Sequence, residues 1–263
     1  MTPSRFLSRR FPAACAVAAV ALAVAVHAAA SDDMPPSMRY AKCLEKAGTF
    51  PKDAFSDALA WRDMGGGPAA EHCAASALIT LELYDDAAGR LEDLAQRIKE
   101  NPAFRARILG QAGQAWLLAG KAARAEAVAS AALSLAPGRA ELMVDRAQAR
   151  AALGDYRAAL GDLDAALGRL PPAGPARADA LVFRAAAKRF LGDDAGAMAD
   201  AEAALGLDAD HPDGLLERGI LKRLKQDHAG ARRDWLRVLE TAPASEAARA
   251  ARANLEKMDV QAR

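Results

Sequence analysis

Hydrophobic and polar positions along the chain fall into helical stretches that break at regular places. In residues 151–167, "AALGDYRAALGDLDAAL", a run of alanine and leucine stops at Gly154 and then begins again. A break of this kind predicts two packed helices joined by a tight turn. Similar breaks occur at Gly120, Gly192 and Gln226. The pattern therefore predicts a series of helix–turn–helix units rather than one isolated loop.

An alanine follows each break by five residues, and these alanines set the period. Ala125, Ala159, Ala197 and Ala231 are 34, 38 and 34 residues apart. The four additional residues of the second interval are the turn "PPAG", 171–174. A period near 34 residues, with one helix–turn–helix in each period, is typical of tetratricopeptide repeats. The chain resembles that family.

The resemblance implies an all-α fold, a right-handed α-solenoid of helix–turn–helix repeats with capping helices at both ends. No unit can bury its own apolar face, so each unit packs on the next. The segments are N-terminal capping helices with a glycine hinge at 31–67, a degenerate repeat at 68–101, clear repeats at 106–139, 140–173, 178–211 and 212–245, and a C-terminal capping helix and tail at 246–263. Four aromatic residues are expected to cover the open face of the first repeat: Tyr40, Phe50, Phe55 and Trp61.

Charged residues recur at matching positions in three of the repeats. An arginine of the first helix and an aspartate of the second recur together, as Arg146 with Asp162, Arg184 with Asp200, and Arg218 with Asp234. In the first clear repeat both are missing, and Ala112 and Val128 stand there. We expect structural ion pairs, partly buried within each repeat. The alternative is that these charges lie on solvated faces.

In proteins of this family the first helices line a concave surface that often holds an extended peptide or a partner's helix. Projecting the register gives these groove-facing candidates: Gln111, Gln114, Leu118, Glu141, Asp145, Gln148, Asp179, Phe183, Phe190, Glu217 and Arg223. Phe183 and Phe190 would share a helical face, either as a hydrophobic anchor for a partner or as part of the core. The family's carboxylate-binding residues are not matched here, because Gly110, Val144 and Val182 occupy such places.

The first thirty residues differ from the rest. A basic head with Arg5, Arg9 and Arg10 precedes fourteen apolar residues, "AACAVAAVALAVAV", and then small residues. This order predicts a secretory signal peptide at 1–30, cleaved after Ala30. A retained anchor is the alternative, although the run is short of the about 20 residues that span a bilayer. Because of Ser8-Arg9-Arg10, export through either the general or the twin-arginine route remains open. Cys15 does not occupy the position of a lipobox cysteine, so a lipoprotein is not expected.

Cleavage changes both the charge and the cysteine count. The mature chain keeps 32 basic and 34 acidic residues, a net charge of −2, which gives no support to a nucleic-acid partner. It retains Cys43 and Cys73, which in an exported protein predict one disulfide. An unreduced sample should then show no free thiol in denaturant. Two free buried thiols are the alternative; a metal site with His72 lacks zinc-ligand spacing.

No catalytic motif stands out in the sequence. Neither GxSxG nor HExxH occurs, and the acid pair Asp193-Asp194 is placed to cap a helix. We therefore expect no cofactor, no metal and no catalytic residues. The sequence favours a non-enzymatic scaffold that binds a protein or peptide in the bacterial periplasm, or after secretion. The alternatives are a thiol–disulfide or other enzyme with a site in the N-terminal segment, and self-association through the concave face.

Overall fold

The computed structural model describes residues 35–261, which are helical almost throughout and contain no strand. The helices run as follows: α1 Pro36–Thr49, α2 Pro51–Trp61, α3 Gly67–Thr80, α4 Tyr84–Arg97, α5 Pro102–Leu118, α6 Ala122–Leu135, α7 Ala140–Ala152, α8 Tyr156–Leu167, α9 Pro175–Phe190, α10 Asp194–Leu207, α11 Pro212–Leu224, α12 His228–Thr241 and α13 Glu246–Gln261. A π-helical turn, Arg62–Gly66, joins α2 to α3. The predicted signal peptide lies outside the described residues.

The helices form an all-α solenoid, as the sequence predicted. Each helix packs on the next along the chain, and the first helices of successive repeats also touch, α5 with α7, α7 with α9, and α9 with α11. The four alanines that set the period, Ala125, Ala159, Ala197 and Ala231, are all buried. A methyl-sized side chain lets two helix backbones approach closely, so these positions bring the two helices of each repeat together.

The tight turns inside the repeats require a left-handed backbone. Gly154 has a φ of 81°, which a residue with a Cβ adopts only with strain. The last repeat makes the same turn with Gln226, at a φ of 63°. An aspartate follows the turn in the later repeats and caps the second helix; the Asp155 side chain, for example, accepts a hydrogen bond from the Ala158 N–H.

In the clear repeats, two first helices begin before the boundaries given by the period. Helix α5 begins at Pro102 rather than at 106, because the Asn101 side chain accepts a hydrogen bond from the Phe104 N–H and caps it there. Helix α9 begins at Pro175 rather than at 178, directly after Gly174. Proline suits the first turn of a helix because its missing N–H has no partner to lose there.

The N-terminal cap is a helical hairpin, α1 and α2, packed against α3. The structure joins Cys43 of α1 to Cys73 of α3, with Cα atoms 6.1 Å apart. Phe55 and Trp61 pack inward, but Phe50 is 64% exposed and does not cover the first repeat, contrary to expectation. Phe50 is the residue between α1 and α2, and its side chain lines a cavity beside Leu81.

Within residues 35–261, none of the helices combines the length and the apolar character that a membrane crossing requires.

Candidate functional site

A small cavity lies in the groove between the first helices of two successive repeats, α5 and α7. Its volume is about 140 Å³. Its walls are Ala103, Ala106, Arg107, Gly110, Gln111 and Gln114 on α5, with Arg139, Glu141, Leu142 and Asp145 on or beside α7. Four of the groove residues predicted from the sequence therefore line one cavity: Gln111, Gln114, Glu141 and Asp145. We call this cavity the α5–α7 pocket.

Asp145 is the most perturbed acid of the pocket. Burial raises the pKa of its carboxyl from 3.8 to about 6, because the charged form loses water. The Gln114 amide opposes this shift by donating a hydrogen bond of 2.9 Å to Asp145 Oδ1, and the nearby Glu141 carboxylate adds to it. In contrast, the pKa of Glu141 is lowered, by a backbone hydrogen bond and then by Arg139, whose Nε lies 3.2 Å away.

A chain of hydrogen bonds fixes the other glutamine of the pocket. His72, on α3, connects two side chains through its two ring nitrogens. Its Nδ1 is hydrogen-bonded to the Tyr40 hydroxyl, and its Nε2 lies 2.6 Å from the side-chain oxygen of Gln111. Burial lowers the pKa of His72, so the neutral ring is favoured, and Arg107 lowers it further. Since the Gln111 oxygen can only accept, Nε2 carries the proton and Nδ1 accepts from Tyr40. Gln111 therefore presents its NH₂ group to the groove.

The pKa of Asp145 leads to a stability prediction. Because its folded pKa is raised, the stability that Asp145 contributes is complete below about pH 4 and lost as the pH rises through about 6. Asp145→Asn keeps an oxygen for Gln114 and carries no charge. We expect it to gain about 1–2 kcal/mol over the wild type near pH 8 and almost nothing near pH 4. Thermal denaturation at both pH values tests this, and an equal gain at both would contradict it.

The remaining groove candidates do not join the pocket. Phe183 is half-buried and packs on the core around Leu163 and Leu181, whereas Phe190 is exposed and stacks on Tyr156 at a centroid distance of 4.4 Å. The two phenylalanines therefore do not form a shared anchor. The rings separate because the final turn of α9 lies next to the start of α8, where Tyr156 begins the helix.

Some of the other candidates contact residues of another repeat, and the rest lie outside the α5–α7 pocket. Glu217 is buried, and Arg189 of the preceding repeat donates to it through Nε at 2.5 Å, so it is not free to bind a partner. Asp179 pairs with buried His211, whose Nε2 lies 3.0 Å from Asp179 Oδ1. The others are exposed Leu118 at the end of α5, half-buried Gln148 on α7, and half-buried Arg223 near the end of α11.

The three arginine–aspartate pairs are present in the structure, and each has a further member. Arg184 contacts Asp200 through Nε at 2.8 Å and Nη2 at 2.7 Å, and Lys188 Nζ lies 2.7 Å from Asp200 Oδ2. The other two aspartates also have a second cation: Arg150 contacts Asp162, and Lys222 contacts Asp234.

These clusters are structural. The aspartates are buried, and their hydrogen bonds raise the pKa of Arg146, Arg184 and Arg218. The second cation lies one helical turn after the arginine, a recurrence that the sequence also contains and that the register could have revealed. None of the clusters lines the α5–α7 pocket.

The described residues offer little for cofactor or metal chemistry. No group of three or more histidine, cysteine, aspartate or glutamate side chains within 35–261 has a metal-binding arrangement. Cys73 is fully buried, and Cys43 lines a larger cavity of about 430 Å³ beside Trp61 and Met64. What the groove itself offers is hydrogen bonding and charge, arranged between two rigid helices.

Stacked helix pairs with a groove between their first helices define an α-solenoid of about 34-residue repeats. No protein-family model matches the sequence, and none of the curated proteins compared with it is a match. Solved structures do match. The thermophilic TPR protein TTC0263 of Thermus thermophilus gives a TM-score of 0.57 at 22% identity, over 69% of this chain and 95% of that one. The chain therefore has the tetratricopeptide-repeat fold.

Two further solved structures share this fold. MamA from Desulfovibrio magneticus RS-1, residues 41 to the end, gives a TM-score of 0.53 at 20% identity, over 72% of this chain and 97% of that one. YrrB, described as a TPR protein with an unusual peptide-binding site, gives a TM-score of 0.50 at 16% identity, over 76% of this chain and 97% of that one. At these identities the likeness concerns the fold alone.

Proposed function

We propose that the protein is a non-enzymatic scaffold of the bacterial cell envelope that binds a protein or peptide along the first helices of its repeats. The α5–α7 pocket carries this proposal, because four predicted groove residues converge there. The fold supports it, since stacked helix pairs present long shaped surfaces and few enclosed sites. The full burial of Cys73 speaks against the alternative of a thiol–disulfide enzyme, whose reactive sulfurs must be reached by a substrate.

The envelope location is inferred from the sequence of residues 1–30. A basic head, a short apolar run and small residues before Ser31 are the features by which exported proteins are processed. Cell fractionation with N-terminal sequencing tests the location. We expect a mature chain that begins at Ser31 in the periplasmic fraction or the medium. A chain that begins at Met1 in the cytosol would rule out export.

Site-specific photo-crosslinking in intact cells tests binding along the groove. A photoreactive amino acid at exposed Gln114, inside the groove, should capture a partner as a discrete adduct. The matched control is the same amino acid at exposed Arg157, on the second helix α8, which should give no adduct of that mass. Equal capture at the two positions would contradict groove binding. An adduct between two copies of the chain would replace the scaffold proposal by self-association.

A further inference from the structure

The Asp145 carboxylate of the α5–α7 pocket has one oxygen without a partner. Asp145 Oδ1 accepts from Gln114, but within residues 35–261 Asp145 Oδ2 accepts no hydrogen bond and has no cation within ion-pair distance. Oδ2 lies above Gly110, where a methyl group placed on the glycine would stand 3.6 Å from it. Leu142 Cδ2 would stand only 2.6 Å from that methyl group, so the missing side chain at Gly110 lets Leu142 pack against α5. The half-buried Asp145 carboxylate lines the pocket beside it.

The charged groups around Asp145 do not neutralise it. Glu141, one turn earlier on α7, carries the same charge as Asp145. Arg139 is engaged by Glu141, and Arg107 is placed over the Phe104 ring, 4.9 Å from its centroid. The walls hold two arginines and two acids, but both arginines have partners of their own, so a bound anion would meet the Asp145 carboxylate without a free cation beside it. A metal ion would find fewer than the six or more oxygen ligands that calcium requires. The group that fits is a single organic cation.

The walls of the pocket favour a cation on an apolar stem. Ala103, Ala106 and Leu142 supply apolar surface to the same walls as Asp145. Lysine and arginine side chains pack their methylene stems along such surface while the charged end reaches a polar group. A volume of about 140 Å³ has room for one such side chain.

The two glutamines can hold the backbone next to that side chain. Gln111 offers NH₂ because its oxygen is bound to His72, whereas Gln114 offers its oxygen because its NH₂ is bound to Asp145. They lie three residues apart on α5, about 4.5 Å along the helix axis. One extended residue presents its own C=O and N–H on the same side, so it can pair with both glutamines.

We infer that the α5–α7 pocket binds a lysine or arginine side chain of an extended segment of the partner, with the cation on Asp145 and the adjacent backbone on Gln111 and Gln114. This inference rests on the proposed function and names the chemistry of its ligand. It makes Asp145 a specificity-determining residue. The raised pKa of Asp145 agrees with it, since a carboxylate kept short of water gains most from an arriving cation.

Calorimetric titration with short synthetic peptides tests the inference on the full mature chain. The probes are acetylated, amidated heptapeptides of alanine and glycine with a central lysine, arginine, norleucine or glutamate. Norleucine keeps the stem of lysine without its charge. We expect the lysine and arginine peptides to bind about tenfold more tightly than the norleucine peptide, and the glutamate peptide to bind most weakly.

Two variants assign the preference to the pocket. Asp145→Asn should reduce the preference for lysine over norleucine to within about twofold, since a tenfold preference corresponds to the 1.4 kcal/mol that the charge supplies. Asp86→Asn removes an exposed acid on α4, outside the pocket, and should keep the preference. A thermal melt of each variant shows that it is folded. A preference that survives in Asp145→Asn would overturn the inference.

Failure of this inference is distinguishable from failure of the proposed function. Equal binding of the lysine and norleucine peptides, or no binding of any peptide, would remove the basic side chain as the ligand. The crosslink at Gln114 would still decide separately whether the groove holds a partner. Conversely, a charge preference without any crosslink in cells would leave a cation-binding pocket and remove the scaffold proposal.

Discussion

Replacing Asp200 with alanine should be among the most destabilising single substitutions in the protein. The substitution removes the carboxylate that contacts both Arg184 and Lys188 at 2.7 Å in a half-buried site. Only the exposed Asp164, 2.8 Å from Arg184, then remains beside the two cations. Removing one member of a buried ionic cluster typically costs about 3–5 kcal/mol. For a domain of this size that corresponds to a melting temperature lower by about 10 °C. Thermal denaturation followed by circular dichroism measures the effect.

Two matched variants show whether the cause is burial. Arg184→Ala should destabilise less than Asp200→Ala, because Lys188 still neutralises Asp200. Asp210→Ala breaks an ion pair with Arg237 in which both side chains are about half exposed, and it should leave the melting temperature nearly unchanged. Similar shifts for Asp200→Ala and Asp210→Ala would mean that the cluster is solvated and that the register of charges has no structural role.

The second large effect is expected at Gly219. A Cβ there would lie 2.3 Å from Nε1 of Trp235, which is fully buried and donates to the Leu216 carbonyl at 3.2 Å. The indole cannot move without losing its packing, so Gly219→Ala should cost about 3 kcal/mol, at the upper end of what overpacking a core causes. Denaturant titration gives the change in the free energy of unfolding.

The equivalent positions in other repeats suggest a compensating second substitution and a control variant. The second clear repeat has Ala147 and Leu163 at the equivalent positions, so Gly219→Ala with Trp235→Leu recreates a pair that already packs in this protein. The double variant should be more stable than the sum of the single effects by at least about 1 kcal/mol. Gly113→Ala in the first clear repeat meets only ordinary contacts, the nearest at 3.5 Å, and should be tolerated. A purely additive double variant would show that the two residues do not compete for space.

The helix order and the groove-lining role of α5 and α7 could be predicted because they depend on a local pattern that recurs. The alanine period and the left-handed turn at Gly154 are each set by a few adjacent residues, and repetition makes them recognisable. The arginine–aspartate pairs followed from the same comparison of repeats. Lys188 could have been found in the same way, since a basic residue recurs four positions after each arginine.

Features that depend on how one repeat meets the next could not be predicted. Glu217 was predicted to face a partner, but Arg189, 28 residues away in the preceding repeat, pairs with it. Gln111 lines the α5–α7 pocket, but its contact with His72 depends on how α3 packs on α5. The separation of Phe183 from Phe190 likewise follows from where Tyr156 lies. These outcomes depend on packing between units and not on the sequence of one unit.

The two ends of the solenoid are held by different kinds of contact, so they should differ in their resistance to a pulling force. At the amino end, the link between Cys43 and Cys73 closes a loop with a sequence separation of 30. At the carboxyl end, α13 is held by noncovalent contacts, namely its packing on α11 and α12 and an ion pair between Arg232 and Asp259. When the chain is pulled at both termini, the residues between the two cysteines cannot lengthen. We therefore expect extension to begin at α13 and to travel toward α3 repeat by repeat. If a partner binds α5 and α7 as proposed, the half of the molecule that yields last holds it.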